Sequence, residues 1–330
     1  MSELSGYKNE SLKILNNAGI SIGDLIKIIT KTTEYSGNLL PRYEYSEENY
    51  IVIKLSNGYN IGIDAKNITN IQKIMSGEEP KFIPPEKPKV KESLPKIAIL
   101  GTGGTIASRI DYKTGAVNPA FSAEELYSII PELSAYANIN TELVSNIASE
   151  QMNPKDWTNI AKKVIEKINE GNQGIIIGHG TDTMAYTSAA LSFALENCPI
   201  PVIITGAQRS TDRPSSDASL NMISSVIMAS KKVLNGVYLA MHSSIEDNEV
   251  SIHSGTRVRK NHTSKRDAFQ SIGVDPIAIV NQDKVTVGEE SIKNNNQFDP
   301  KINFEENVSL LKFHPGFNSE IIDKIIELDA

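Results

Sequence analysis

Cysteine is nearly absent from this chain: Cys198 is the single one in 330 residues. One thiol cannot close an intramolecular disulfide, and it excludes the cysteine clusters that hold structural zinc. Cys198 stands before Pro199 and the apolar run Val202-Ile203-Ile204, where a free cysteine acts as a small buried hydrophobe. Long apolar runs are also missing, and none approaches the roughly 20 residues a membrane-spanning helix needs. Met1-Ser2-Glu3-Leu4-Ser5-Gly6 holds neither the basic start nor the apolar core of a secretory signal, so a cytoplasmic location is expected. Positive charge is in deficit, with 33 Lys and Arg against 40 Asp and Glu and a net charge of -7. That balance disfavours the chain by itself as the main binder of a nucleic acid, because phosphate contacts need clustered Lys and Arg. With 39% hydrophobic and 22% charged residues, the chain is globular and long enough for two or three domains.

Residues 1–75 read as one unit. Leu25-Ile26-Lys27-Ile28-Ile29 and Tyr50-Ile51-Val52-Ile53-Lys54-Leu55 are rich in β-branched residues suited to strands. Ser56-Asn57-Gly58-Tyr59 supplies a hairpin turn, with Asn60-Ile61-Gly62-Ile63 returning. Several short strands in so few residues predict a small antiparallel β-barrel. Residues 76–95 read as an extended linker, because Pro84-Pro85-Glu86-Lys87-Pro88-Lys89 cannot build a core.

From Lys96 the pattern becomes strand, glycine turn, helix. The clearest helix follows Asn153-Pro154, with asparagine as N-cap and proline in the first turn. Trp157, Ile160, Ala161, Val164, Ile165 and Ile168 fall on one helical face, and Gly171 ends it. That face assigns Trp157 to the core rather than to a ligand platform. Further helices are expected over 183–196 and 217–232, with a strand over 236–241. The alternation predicts an α/β fold: a doubly wound, mostly parallel sheet covered on both faces.

Two glycine turns stand out: Gly101-Thr102-Gly103-Gly104-Thr105-Ile106-Ala107-Ser108 and Gly178-His179-Gly180-Thr181-Asp182-Thr183-Met184. Each follows a short apolar run, Ile97-Ala98-Ile99-Leu100 or Ile175-Ile176-Ile177, that reads as a buried parallel strand. Open α/β sheets place their ligands at the carboxyl ends of such strands. A P-loop would continue as Gly-Lys-Ser/Thr, but Thr105 and Ile106 follow Gly104; a dinucleotide fingerprint would set a third small residue at Ile106. Taken singly, either turn could be an ordinary tight strand–helix connection. As a pair, each with a threonine at the helix entrance, they point to a hydrolytic site.

A threonine hydroxyl needs an adjacent base to act as a nucleophile. The chain has five histidines. His179 lies in a glycine turn, His242 after a strand, and His253, His262 and His314 in apparent loops. None has a carboxylate partner evident in the sequence, so a Ser/Thr-His-Asp triad is not assembled, and His179 reads as a structural contact. A lysine near a carboxylate can serve instead. The stretch from Arg257 to Arg266 is basic and reads for most of its residues as a solvated loop.

These motifs resemble the paired threonine signatures of the bacterial-type L-asparaginase family. The resemblance runs from about Pro95 to the C-terminus and includes Ile147-Ala148-Ser149-Glu150-Gln151-Met152-Asn153, Thr205-Gly206-Ala207-Gln208-Arg209 and Thr256-Arg257-Val258-Arg259-Lys260. Ordinary asparaginases lack residues 1–80. An asparaginase-like domain behind such an extension resembles the D-type subunits of archaeal glutamyl-tRNA(Gln) amidotransferases. The resemblance implies a glutaminase that releases ammonia from glutamine (or asparagine). A partner homologous to the E-type subunits of those enzymes would use that ammonia to convert Glu-tRNA(Gln) to Gln-tRNA(Gln) in a heterodimer or heterotetramer. tRNA(Gln) would be contacted mainly through the partner, which would also use ATP and Mg²⁺; this chain would carry no cofactor. Self-association through the asparaginase-like domain is implied as well. The alternatives are a free-standing L-asparaginase with an accessory domain and a catalytically silent scaffold of the same fold.

Residue by residue, the resemblance implies that Thr105 attacks or positions the amide carbon, and that Thr181 is coupled to Lys260 and Asp182. Asp182 would also bind the substrate's α-ammonium group. Ser149 and Glu150 would contact its α-carboxylate and α-ammonium ends. Backbone N–H groups around Gly104 and Gly180 would stabilise the oxyanion. Tyr112 matches the family's mobile-loop tyrosine, although its loop is shorter here. The catalytic unit is expected over 96–290. A strand over 308–313 and a helix over 319–328 would begin, and not complete, a C-terminal α/β subdomain over 304–330. The family completes its active site with groups from a neighbouring protomer's second domain.

Overall fold

The computed structural model describes residues 4, 7–40, 49–56, 60–77, 90–103, 108–110, 117–119, 126–127, 130–209, 215–288 and 297–328. The N-terminal unit starts with helix α1 (Asn9–Asn17) and continues through β1 (Leu25–Thr30), β2 (Glu34–Leu39), β3 (Tyr50–Leu55), β4 (Asn60–Asp64) and β5 (Ile68–Met75). All pairings are antiparallel, in the order β4-β3-β2-β1-β5. The expected barrel is not closed: among the described residues β4 and β5 are the two edges, joined by a 3-10 turn, Ala65–Asn67, that Asp64 caps. Helix α1 contributes Leu15 to a core of Ile20, Ile26, Ile28, Leu39, Ile51 and Ile53, so the sheet buries its apolar side chains without closing on itself.

Asp24 pins this unit together just before β1. Its buried carboxylate accepts hydrogen bonds from the N–H of Ser21 at 2.7 Å and of Gly77 at 2.8 Å, and pairs with Lys73 Nζ at 2.7 Å.

The larger unit is built on one eight-stranded sheet. Its strands are β6 (Lys96–Gly101), β9 (Asn138–Leu143), β10 (Gly174–Gly178), β11 (Pro201–Thr205), β12 (Gly236–His242), β13 (Glu249–Ser254), β16 (Ala278–Asn281) and β17 (Lys284–Val287). The order is β17-β16-β13-β12-β11-β10-β6-β9. From β9 to β12 the pairing is parallel; β13, β16 and β17 are antiparallel additions. Two separate antiparallel ribbons are β7 (Ser108–Ile110) with β8 (Val117–Pro119), and β14 (Val258–Lys260) with β15 (Phe269–Ser271).

Helices α2 (Pro154–Asn169), α3 (Met184–Ala194) and α4 (Ala218–Lys231) cover both faces of the sheet. Ile175 and Ile177 pack with Ile160 and Val164 of α2 and Leu191 of α3, while Ile176 packs with Met222 and Val226 of α4. A strand buried on both faces reads as a continuous apolar run for this reason. Asn153 caps α2 in a reciprocal arrangement with Asp156, and Gly171, at φ +80°, follows its end.

The final helix, α5 (Glu320–Leu328), forms where the apolar spacing places it. The strand expected over 308–313 does not form: those residues have no regular structure and pair with no strand among the described residues. Leu310 and Phe313 are 86% and 80% exposed, and a lone strand without a neighbour cannot satisfy its backbone.

The Asp24 cluster makes stability depend on pH. Burial alone would raise the Asp24 pKa, but the Lys73 ammonium and the two N–H donors outweigh it and hold the carboxyl below its usual 3.8. A depressed folded-state pKa contributes stability that is present above 3.8 and lost as pH falls through the folded value. Asp24→Asn is expected to cost about 2 kcal/mol in urea unfolding at neutral pH. The gap to the parent should narrow below pH 3.8; a gap independent of pH would refute the ionic account. The exposed C-terminal segment gives a second expectation. In hydrogen exchange on the isolated chain, amides of 306–318 should exchange orders of magnitude faster than those of 97–100 and 175–177. Equal protection would show that the terminal segment is packed in solution.

Candidate active site

The first strand of the large sheet, β6, lies between β9 and β10, so the chain leaves it on one side and later resumes on the other. Such a switch point opens a crevice at the carboxyl ends of the strands. Both glycine turns leave from it. Gly178 pairs with Gly101, and the N–H and Oγ1 of Thr102 both donate to Gly178 O at 3.0 Å. Gly103, at φ +117°, lies so close to Ile147 O that a side chain there would collide with that carbonyl. Thr105, Gly104 and Tyr112 lie outside the described residues.

The second turn is fully described. Lys260 Nζ donates to Thr181 Oγ1 at 2.8 Å and to Asp182 Oδ1 at 2.8 Å. Residues separated by about 80 positions are thus gathered into one contact set. The Lys260 side chain is only 11% exposed, whereas that of Asp182 is 67% exposed. The Asp182 carboxylate therefore stands at the surface, with the lysine nitrogen enclosed between it and the threonine hydroxyl.

Ser149 is buried beside this turn and Glu150 is exposed next to it, both in a 3-10 turn, Ser149–Gln151. Thr183 Oγ1 donates to Ser149 O at 2.6 Å. A Cβ on Gly180 would come within 2.8 Å of Ser149 Cβ and 2.9 Å of its Oγ, so glycine is required for the two turns to approach. Ser149 is thereby brought against the Thr181 turn.

His179 has the structural role expected of it. Its Nδ1 lies 2.7 Å from Gly180 O, which can only accept, so Nδ1 carries the proton. Thr187 Oγ1 lies 2.9 Å from Nε2 and accepts from Trp157 Nε1 at 3.0 Å. Burial lowers the His179 pKa, which keeps the ring neutral in this chain of bonds. Trp157 also meets Phe304 edge to face, with ring centroids 5.6 Å apart. Thr187 escapes sequence reasoning, because a threonine in the first turn of α3 looks like any buried helix residue.

Two readings of the sequence need correction. His253 is not in a loop but in β13, where burial brings its pKa to about 4. The basic stretch is a solvated loop only in part: residues 261–265 are exposed as expected, but 258–260 form β14, Arg259 lies over the Tyr186 ring, and Arg266 is bonded to neighbouring turns. Short strands alternating with charged residues carry no periodic signal that would have revealed the ribbon. Cys198 is buried, and burial raises its thiol pKa to about 11, which makes it unreactive.

Comparison with known proteins identifies the family. Residues 96–293 match the asparaginase N-terminal family, and residues 20–74 match the GatD N-terminal domain. The D-type subunit of the glutamyl-tRNA(Gln) amidotransferase of Methanosphaera stadtmanae is 44% identical over 97% of this chain and 73% of its own length. That of Pyrococcus furiosus is 45% identical over 96% and 74%. Among solved structures, the thermostable L-asparaginase from Thermococcus kodakarensis superposes with a TM-score of 0.63 at 34% identity, over 70% of this chain and 68% of that one. The chain belongs to the asparaginase family and, within it, to the GatD family of glutamyl-tRNA(Gln) amidotransferase subunits.

Proposed function

We infer that this chain is the glutaminase-type subunit of a tRNA-dependent amidotransferase, releasing ammonia from glutamine for a partner that amidates Glu-tRNA(Gln). The observation that carries the chemistry is Lys260 Nζ, 2.8 Å from both Thr181 Oγ1 and Asp182 Oδ1, in a chain whose relatives are named for that complex. The GatD N-terminal domain match over 20–74 favours this reading over a free-standing L-asparaginase. The presence of threonine, aspartate and lysine in contact favours it over a silent scaffold.

In the proposed reaction a threonine Oγ attacks the side-chain amide carbon of glutamine. A C–O bond forms, the C–N bond breaks, and ammonia leaves with the proton returned to it. Water then cleaves the ester to give glutamate. Neutral Lys260 would take the proton from Thr181, and the Asp182 carboxylate would stabilise the ammonium so formed. Thr105 is retained as the other threonine candidate for the attack. Asp182, Ser149 and Glu150 are assigned to the substrate's α-ammonium and α-carboxylate groups. Backbone N–H groups near Gly104 and Gly180 are assigned to the oxyanion, and Tyr112 to covering the substrate.

The division into a unit over 1–75, a linker over 76–95, a catalytic unit over 96–290 and a further subdomain from 304 is part of the same proposal. So is reserving ATP and Mg²⁺ chemistry, and most of the tRNA contact, for an E-type partner in the cytoplasm. Among the described residues no helix is long and apolar enough to cross a membrane.

Two experiments test the reading. Alanine at Thr181, Asp182 or Lys260 should each abolish glutamine hydrolysis, and the triple variant should lose little more than the worst single one. Losses that add across the combinations would argue against a single relay. In gel-shift titration the isolated chain should bind tRNA weakly and with shallow salt dependence, as its charge of -7 requires, and tightly once the partner is added. Tight, tRNA-specific binding by the chain alone would overturn the assignment of tRNA to the partner.

A further inference from the structure

Lys260 must stay within hydrogen-bond reach of Thr181, yet it sits on ribbon β14–β15, which among the described residues joins no other sheet. The base of the ribbon is anchored: Val258 and Phe269 are buried in the core beneath α2 and α3, and Ser271 Oγ lies 2.8 Å from His253 Nδ1. The tip has no such core, and residues 261–265 are exposed. Among the described residues, two side-chain attachments join the tip to the turns beside it. Gln208, after β11, donates from Nε2 to Lys265 O at 2.7 Å. Arg266 donates from Nη1 to Asp247 Oδ1 at 2.7 Å and to Ile245 O at 3.3 Å, and from Nη2 to Ser215 O. Its side chain is 15% exposed, as expected of a guanidinium that has found fixed acceptors.

The acceptors are themselves held. Asp247 Oδ1 also faces His242 Nε2 at 3.2 Å, and His242 Nδ1 donates to Asn221 Oδ1 at 2.6 Å. Asn221 donates to Gly206 O and to Asp217, and Asp217 in turn accepts the N–H of Gln208 and Arg209. This chain of bonds runs from the ribbon tip to the turn after β11. His179 N, in the catalytic turn, donates to Thr205 O at the end of that same strand. The tip and the Thr181 turn are therefore referenced to one strand end.

We propose that Arg266 is a positioning residue for amide hydrolysis: its fork clamps the ribbon tip to the turns after β12 and before α4, and so holds Lys260 Nζ against Thr181. The proposal rests on Lys260 acting in the reaction. A lysine at 266 could keep the charge toward Asp247 but could not reach all three acceptors with fixed geometry.

The test uses the full-length protein with its partner and compares R266A, R266K and K260A. R266A should lower kcat for glutamine hydrolysis about tenfold or more while KM changes little, as expected when reacting groups lose alignment. R266K should recover only part of the loss, and millimolar guanidinium should partly restore R266A. Exchange of the Asn261 amide, which donates to Ala268 O across the ribbon, should accelerate in R266A, with 97–100 and 175–177 unchanged. An active K260A would defeat the reading of Lys260 itself. An inactive K260A beside an R266A of parental kcat would overturn the role given to Arg266. R266A losing protection in 97–100 and 175–177 would overturn it too, by assigning the residue to overall stability.

Discussion

The parallel register between β6 and β10 is the constraint on which the site depends. Gly101 lies opposite Gly178, so both strands end level and their turns emerge side by side. Thr102 makes the junction rigid by giving both its N–H and its hydroxyl to Gly178 O. Everything nearby is spaced to protect this approach. Gly103 admits Ile147 O, Gly180 admits Ser149, and Gly174 lets Ala229 of α4 close on the foot of β10. A Cβ at any of these positions would push apart elements whose separation sets the crevice. The glycines are used here for proximity more than for flexibility.

Lys260 comes from outside this frame. The parallel core carries the threonine and the aspartate, but the cation arrives on a two-stranded ribbon that follows the antiparallel strand β13. The antiparallel end of the sheet thus has a function beyond covering an edge. It turns the chain back so that a lysine 79 residues after Thr181 can approach that turn from behind. In the proposed reaction this geometry separates two requirements, with a rigid sheet to hold the reacting hydroxyl and an independent arm to deliver its proton acceptor.

What could be read from the sequence follows the same division. The strands Ile97-Ala98-Ile99-Leu100 and Ile175-Ile176-Ile177 are legible because burial on both faces demands uninterrupted apolar residues. Helix α2 is legible because Asn153, Pro154 and Gly171 mark both its ends and six apolar positions mark its face. The ribbon is not, since β14 and β15 have three residues each and Arg259, Lys260 and Gln270 interrupt any alternation. Lys260 itself is recognisable only by resemblance to a motif, since no local pattern singles it out. The expected strand over 308–313 illustrates the opposite limit. Its residues have strand-like apolar character, but a strand exists only where a neighbour completes its hydrogen bonds, and among the described residues none does.

The electrostatics of the site also argue for positioning over stability. An ion pair with both partners exposed contributes little, and one with both buried is offset by desolvation. The Lys260–Asp182 pair is neither, because the lysine is enclosed and the aspartate stands largely in water. Asp182 keeps most of its hydration and stays accessible to a charged ligand, while Lys260 gives up water for two oxygen acceptors at 2.8 Å. Such an arrangement does little to hold the fold together, since the core beneath it is sealed by apolar side chains without it. It fixes where Lys260 Nζ can be. In the proposed reaction, an amine confined between a hydroxyl and a carboxylate needs no rearrangement when the hydroxyl gives up its proton, and that economy of motion is what the assembly offers the chemistry.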